Sequence, residues 1–388
     1  MTTEVLAPPA PPVFVSGLAG VVAAQTRLSQ VDGEAGELLI AGYPVEDLAP
    51  QASFEEVAYL LWHGALPTAA QLAEFRASLA AQRDLPPAAR PLLQAAAGAQ
   101  LPVMDALRLA AGTLGLAAGS DDADLRAAGV GLLARTATLV AAYWRLCQGQ
   151  TPVPPRADLG HAANYLYMLT GEAPSAERAR GMETYLNTVV DHGLNASTFT
   201  ARVIISTGSD LVSAVVGAIG ALKGPLHGGA PGPALDMVFE IGEAGRAETY
   251  LRAKLDRRER LMGFGHRVYK VRDPRADVLA AAAEQFFNTD GDRALYALAR
   301  AVEQTAVRLL AERYPQHRYQ TNVEYYTALL LHGLGLPSGL FSPTFAVSRA
   351  AGWIAHCIEH QATGRIIRPQ SEYIGPRDRR YAPPAERA

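Results

Sequence analysis

From Ser53 onward the chain runs as one apolar segment of helical spacing after another, and nowhere does it alternate short strands with helices. Breaks at Leu85-Pro-Pro87, Gly119-Ser-Asp-Asp122, Thr151-Pro-Val-Pro-Pro155 and from Gly171 to Ser175 cut it into pieces of ordinary globular helix length. Without that alternation there is no crossover unit from which to build a parallel sheet, so the expected fold class is all-α. Ser53, placed to cap with Glu56 three residues on, announces the first of these helices, and its apolar positions recur through Leu61. Only residues 13 to 48 read differently. Short apolar runs interrupted by Gly33, Gly36, Gly42 and Pro44 predict small strands and turns, a minor N-terminal β element. Residues 91 to 119 and 211 to 224 carry Ala and Gly on several faces, which lets helices pack closely in a large core or at an interface.

A chain of 388 residues with 49% hydrophobic content can bury an extensive core, either as two domains or as one large domain with a smaller lobe at residues 228 to 330. A pI near 6.3 and the lack of a lysine-rich tract argue against nucleic acid as a partner, since sequence-independent binding needs a broad basic face. No membrane span is expected, because the uncharged run 211 to 222 is too short to cross a bilayer. Cys147 and Cys357 are the two cysteines and lack CxxC spacing, which points away from disulfides and thiolate zinc and toward a reducing cytoplasm. Residues 1 to 15 read as a flexible arm, without the basic start and apolar centre of a secretory signal.

The cations are concentrated. Residues 252 to 275 hold nine Lys/Arg against three Asp/Glu in a chain of net charge −3. Within that stretch, Gly263-Phe-Gly-His-Arg267 leads through Lys270 and Arg272 to Asp273-Pro-Arg275, a loop suited to a small anion. Three further segments place histidine or carboxylate in unusual settings: Asp191-His-Gly-Leu-Asn195, Gly224-Pro-Leu-His-Gly-Gly229 and Thr321-Asn-Val-Glu-Tyr-Tyr326. His192 beside an aspartate also suits a structural hydrogen bond, and Glu324 also suits a solvated helix start. His227 and His266 sit in glycine turns where a structural role needs no imidazole. Arg275, Arg349 and Arg368 lie in apolar or turn settings where a guanidinium needs an anion, either from within the protein or from a di- or tricarboxylate ligand. Neutral imidazoles, a carboxylate base and clustered arginines together suit carbon–carbon bond formation through an enol, without a metal.

These segments resemble the citrate synthase family. Asp191-His-Gly-Leu-Asn-Ala-Ser-Thr198, Gly224-Pro-Leu-His-Gly228, Gly265-His-Arg-Val268 through Asp273-Pro-Arg275, Asn322-Val-Glu324 and Arg368-Pro369 follow the family's order and separations. Gly17-Leu-Ala-Gly-Val-Val22 and Phe54-Glu-Glu-Val-Ala-Tyr-Leu-Leu61 also look like it, so the likeness spans residues 16 to 375 or thereabouts. The resemblance implies a helical two-domain protein, with a large domain of residues 16–227 and 331–388 around a small one of 228–330, working as a homodimer. It further implies that His227 stabilises the enol of acetyl-CoA, Glu324 removes the methyl proton, and His266 activates the ketone of oxaloacetate. His192 and Asn195 would orient oxaloacetate while Arg275, Arg349 and Arg368 hold its carboxylates, Arg368 reaching across the dimer interface. Lys270 and Arg272 are candidates for the coenzyme A phosphates, and neither a metal nor a further cofactor is implied.

One departure stands out. The family has aspartate in Asn-Val-Asp, and this chain has Glu324, the same acid on an arm one methylene longer. The alternatives are a 2-methylcitrate synthase using propionyl-CoA, a non-catalytic binder of coenzyme A or dicarboxylate, and a metallohydrolase with His192, His227, His266 and Glu324 as ligands.

Overall fold

The computed structural model describes residues 14–116, 124–228, 231–265 and 268–387. His266 and Arg267, and the break expected at Gly119 to Asp122, lie outside the described residues, as do the first thirteen residues of the arm. Sixteen α-helices run through the described part: α1 (Val45–Leu48), α2 (Phe54–His63), α3 (Ala69–Ala81), α4 (Ala89–Gly98), α5 (Val103–Ala111), α6 (Leu125–Cys147), α7 (His161–Thr170), α8 (Ala176–Val189), α9 (Ala196–Ile205), α10 (Leu211–Leu222), α11 (Pro231–Ile241), α12 (Ala247–Asp256), α13 (Pro274–Thr289), α14 (Arg293–Arg313), α15 (Val323–Gly333) and α16 (Phe341–Thr363). Three short strands, β1 (Ser29–Asp32), β2 (Glu37–Ile40) and β3 (Tyr43–Pro44), form an antiparallel sheet in the order β1-β2-β3, with Ser29 opposite Ile40. The fold is therefore all-α with a minor N-terminal β element, as the segment pattern predicts.

Local chemistry sets many of the boundaries. At α2 the capping box forms as expected: the Glu56 side chain accepts from the Ser53 amide at 2.8 Å, and Gly64 ends the helix in the left-handed region at φ 80°. The Ala-rich stretch from 91 onward is not one helix. Pro102 cannot extend α4, so Gln100 turns through φ 52°, the Leu101 amide closes back on Ala96, and α5 starts afresh. The charged stretch after Glu243 becomes α12, solvated except for the stripe Ala247, Leu251 and Leu255.

Small residues do bring helices together. A Cβ on Gly129 of α6 would lie 2.7 Å from Ile354 of α16, so these two long helices meet at van der Waals range along the core. Trp353, Ile354, Ala355 and Cys357 of α16 are all buried. By length and composition α6 alone among the described helices could cross a membrane, but most of it is covered by protein. Thr26–Ile366 forms one compact unit, and the described residues up to Gln25 and from Ile367 form another.

Candidate active site

The segment between α8 and α9 is pinned at both ends. Asp191 is fully buried and accepts from Ser29 Oγ of β1 at 2.5 Å and from His356 Nε2 at 3.2 Å. Two residues on, the Gly193 amide donates to the same Ser29 Oγ at 2.8 Å, and its φ of +58° makes the reversal that glycine tolerates best. Asn195 then caps α9, accepting from the Thr198 amide at 3.2 Å. His192, held between these anchors, has its Nε2 3.1 Å from the Tyr269 hydroxyl.

His227 sits in the turn after α10, as its glycine setting suggests. Its Nε2 lies 3.3 Å from the Ser197 amide and 2.9 Å from Ser197 Oγ, which in turn accepts from Trp353 Nε1 at 3.1 Å. A backbone N–H can only donate, so Nε2 is the acceptor and the proton of the neutral ring belongs on Nδ1. Burial and the nearby Arg349 charge depress its pKa to about 4. At neutral pH the ring is an uncharged hydrogen-bond donor.

Glu324 occupies the first turn of α15, its amide capped by Asn322 Oδ1 at 3.0 Å. Asn322 also reaches the basic loop, donating to the Gly265 carbonyl at 2.8 Å, while Phe264 pairs with Thr321 as a short antiparallel bridge. The loop and the glutamate are thus one local structure. Burial lifts the Glu324 carboxyl to about 6, with Arg275 pulling it down and Asp273 pushing it up.

The two arginines of the described site have different partners. Arg275 forks onto Asp273, with Nε 3.0 Å from Oδ1 and Nη2 2.9 Å from Oδ2, and lies 5.9 Å over the Tyr269 ring. Asp273 also caps α13, where Pro274 takes the first helical position. Arg349 on α16 donates from Nε to the Val189 carbonyl at 2.5 Å and sits 4.7 Å over the Phe345 ring. Its buried Nη1 has no hydrogen-bond partner among the described residues. Burial, together with the Arg275 charge, lowers Arg349 to about 10 against the opposing pull of the Asp191 carboxylate.

Mutual fields and contacts tie the candidates together. Arg349 acts on His227, Arg275 acts on both Arg349 and Glu324, and Tyr269 joins Arg275 to His192. His192, His227, Arg275, Glu324 and Arg349 therefore converge within Thr26–Ile366. The remaining candidates differ. Asn195 is occupied as a helix cap, Arg272 pairs with Asp277 and with Glu303 at 2.9 Å, and Lys270 is exposed. Arg368 belongs to the other unit, and His266 lies outside the described residues.

Beside the basic loop lie a cleft of about 410 Å³ lined by Tyr269, Lys270, His317, Arg318 and Thr321, and another of about 470 Å³ lined by Arg258, Arg260, Phe264, Tyr314 and Tyr319. No three His, Cys, Asp or Glu side chains gather as a metal-ligand set among the described residues. Sequence reasoning missed Ser197, Tyr269 and the pair Asp191–His356 as parts of the site. Ser197 and Tyr269 stood inside the recognised motifs, whereas His356 looks like an ordinary position in an apolar helix.

The family described as "Citrate synthase, C-terminal domain" matches residues 17–370. The chain belongs to the citrate synthase family. Its relatives include "Citrate synthase 2" of Bacillus subtilis, 41% identical over 96% of this chain and 99% of that one. A "2-methylcitrate synthase" of Mycobacterium tuberculosis is 40% identical over 94% and 91%. A solved structure of the citrate synthase of Thermoplasma acidophilum, a ternary complex with carboxymethyl coenzyme A and oxaloacetate, superposes with a TM-score of 0.84 at 30% identity, covering 95% of this chain and 98% of that one. Family membership makes this protein an acyltransferase of the citrate synthase type.

Proposed function

We propose that this citrate synthase family member condenses acetyl-CoA with oxaloacetate and water, releasing citrate and coenzyme A. The observation that carries the reading is the pairing of a neutral His227 with a carboxyl at Glu324 whose proton affinity burial has raised, the two linked through Arg349 and Arg275. Glu324 takes a proton from the acetyl methyl, and a base with a pKa of about 6 is still ionised at neutral pH while being a stronger acceptor than an exposed carboxylate. His227 Nδ1–H donates to the thioester oxygen as it becomes an enol. The enol carbon attacks the oxaloacetate ketone, His266 donates a proton to the resulting alkoxide, and hydrolysis of the citryl thioester frees the thiol.

Oxaloacetate is oriented by His192, whose ring is steadied by Tyr269, and its carboxylates are met by Arg349 and Arg368, with Arg275, already forked onto Asp273, as the weaker contact. The unpartnered Nη1 of Arg349 supports a carboxylate there, since a buried guanidinium lacking part of its hydrogen bonding favours any anion that supplies it. Lys270, with His317 and Arg318 around the adjoining cleft, suits the phosphates of coenzyme A. Arg272 is already held by two carboxylates and is the weaker of the two phosphate candidates. The proposal includes a homodimer, with Arg368 completing the partner's site, and a small domain of residues 228–330 closing on the large one. It needs no cofactor beyond the thioester substrate.

Propionyl-CoA is the alternative donor, because 2-methylcitrate synthases are among the relatives at similar identity. Thiol release measured with oxaloacetate and a panel of acyl-CoA donors decides between them. Thiol release that does not depend on oxaloacetate rejects the condensation itself. Glu324→Gln is expected to slow condensation by about 10²- to 10⁴-fold while oxaloacetate still binds, and near-normal turnover would remove Glu324 as the base.

A further inference from the structure

Helix α16 carries more than Arg349. Along one face, Phe345, Arg349, Gly352, His356 and Glu359 follow at helical spacing, and this face packs on the segment that ends α8 and begins the His192 loop. Gly352 lets the Val190 carbonyl come closer than any side chain would permit, and a Cβ there would also stand 3.1 Å from Asp191 Oδ1. One turn on, His356 is completely buried between two fixed groups. Arg202 Nη1 of α9 donates to its Nδ1 at 2.8 Å, and a guanidinium cannot accept, so the ring proton is on Nε2, 3.2 Å from both oxygens of Asp191. Arg202 is held in turn by Glu359 Oε2 at 2.8 Å, whose other oxygen accepts from the Arg27 amide at 2.8 Å.

Burial would raise Asp191, but His356, Arg349 and Ser29 outweigh it and keep the carboxylate ionised. The charge is therefore available to hold Ser29 Oγ, and Ser29 holds the Gly193 amide. A continuous chain of hydrogen bonds runs from Glu359 and Arg202 through His356, Asp191 and Ser29 to the backbone on the far side of His192.

From this geometry we infer that His356 is a positioning residue for the keto-acid substrate: by clamping Asp191 it sets His192 in register with Arg349 of the same helix. This rests on the proposed oxaloacetate site and adds to it a residue that touches no substrate. Had the chain needed only a filled core at position 356, an aliphatic side chain would serve without the burial of two charged neighbours. The arrangement instead aligns three elements, α9, α16 and the 191–195 loop, each of which supplies a site residue.

The test compares His356→Leu, His356→Gln and Ser29→Ala with the wild-type protein. His356→Leu is expected to raise the KM for oxaloacetate about ten- to hundredfold, with the KM for acetyl-CoA changed by no more than about twofold. His356→Gln, which keeps a donor toward Asp191 and an acceptor toward Arg202, should recover most of that loss. Ser29→Ala breaks the same chain at its partly exposed end and should raise the same KM, so it decides the matter if the leucine variant does not fold. Hydrogen exchange of the peptide covering residues 191–195 should quicken in both the His356→Leu and the Ser29→Ala proteins, and it reads the positioning even if the wild type fails to condense these substrates. A Ser29→Ala protein with unchanged oxaloacetate KM and unchanged exchange in that peptide overturns the inference. Equal losses toward both substrates, with exchange raised throughout the molecule, would reduce His356 to a packing residue and overturn it as well.

Discussion

Arg275 and Arg349 are both buried guanidinium groups in one site, yet the protein completes one and leaves the other open. Arg275 comes with its own counter-ion two residues earlier in the chain, and Asp273 is in turn held by the α13 cap and the Val323 amide. Arg349 has a backbone carbonyl, an aromatic face and a neighbouring carboxylate, but no partner for Nη1 among the described residues. The contrast separates architecture from readiness to bind. A local Asp-Pro-Arg turn builds a rigid strut under the basic loop, whereas a helix delivering a lone arginine into the core stores an unmet demand for an anion.

If that distinction is right, removing the two arginines should have different consequences. Arg275→Met strands the Asp273 carboxylate and is expected to cost about 3–5 kcal/mol of stability, seen as a lower urea midpoint. Full stability in that variant would erase the contrast. Arg349→Met should stay within about 1 kcal/mol of wild-type stability, but bind oxaloacetate about ten- to a hundredfold more weakly, as measured by calorimetry. Tight binding would show that the open guanidinium edge is not the anion site.

Glu324 and His227 sharpen the same comparison through pH. Glu324 has a folded pKa of about 6 against a usual 4.5, so the folded state binds more protons between those values. Its contribution to stability is therefore present at the acid end and fades as pH rises through that window, by about 2 kcal/mol in all. His227 has the opposite sign: its folded pKa of about 4 lies below the usual 6.5, so its contribution is present above 6.5 and is lost as pH falls through 4. Stability curves of Glu324→Gln and His227→Gln, each subtracted from wild type, should slope in opposite directions across pH 4.5 to 6. Parallel slopes would contradict the assigned environments.

The smallest effect is the most specific. Arg275 lowers Glu324, while Arg349 lowers His227. In an active Arg275→Gln protein the acid limb of the pH–rate profile, set by ionisation of the base, should move above pH 6 by up to about one unit. In Arg349→Gln it should stay in place.

Much of this site could be read before the fold was known, and the part that could not shares a physical character. Ser53 and Glu56 close a cap over three residues, Asp273-Pro274-Arg275 start a helix, and His227 ends a turn after an apolar helix, because turn chemistry and helical periodicity act over a few residues. The Ala-rich stretch from 91 onward divides because Pro102 and the backbone at Gln100 outweigh its composition. Candidate arginines were visible as types, but whether each was paired was not.

By itself, then, the sequence determined the helical class, the minor sheet at the start and the residue types able to support enol chemistry. Only the tertiary structure decided which nitrogen of His227 carries the proton, that Arg275 is satisfied and Arg349 Nη1 is not, and that His356 reaches Asp191. Those outcomes depend on contacts such as Trp353 to Ser197 and His356 to Asp191, between residues more than 150 positions apart. Local patterns record what a side chain can do, but desolvation and partnership are set by the elements that fold against it.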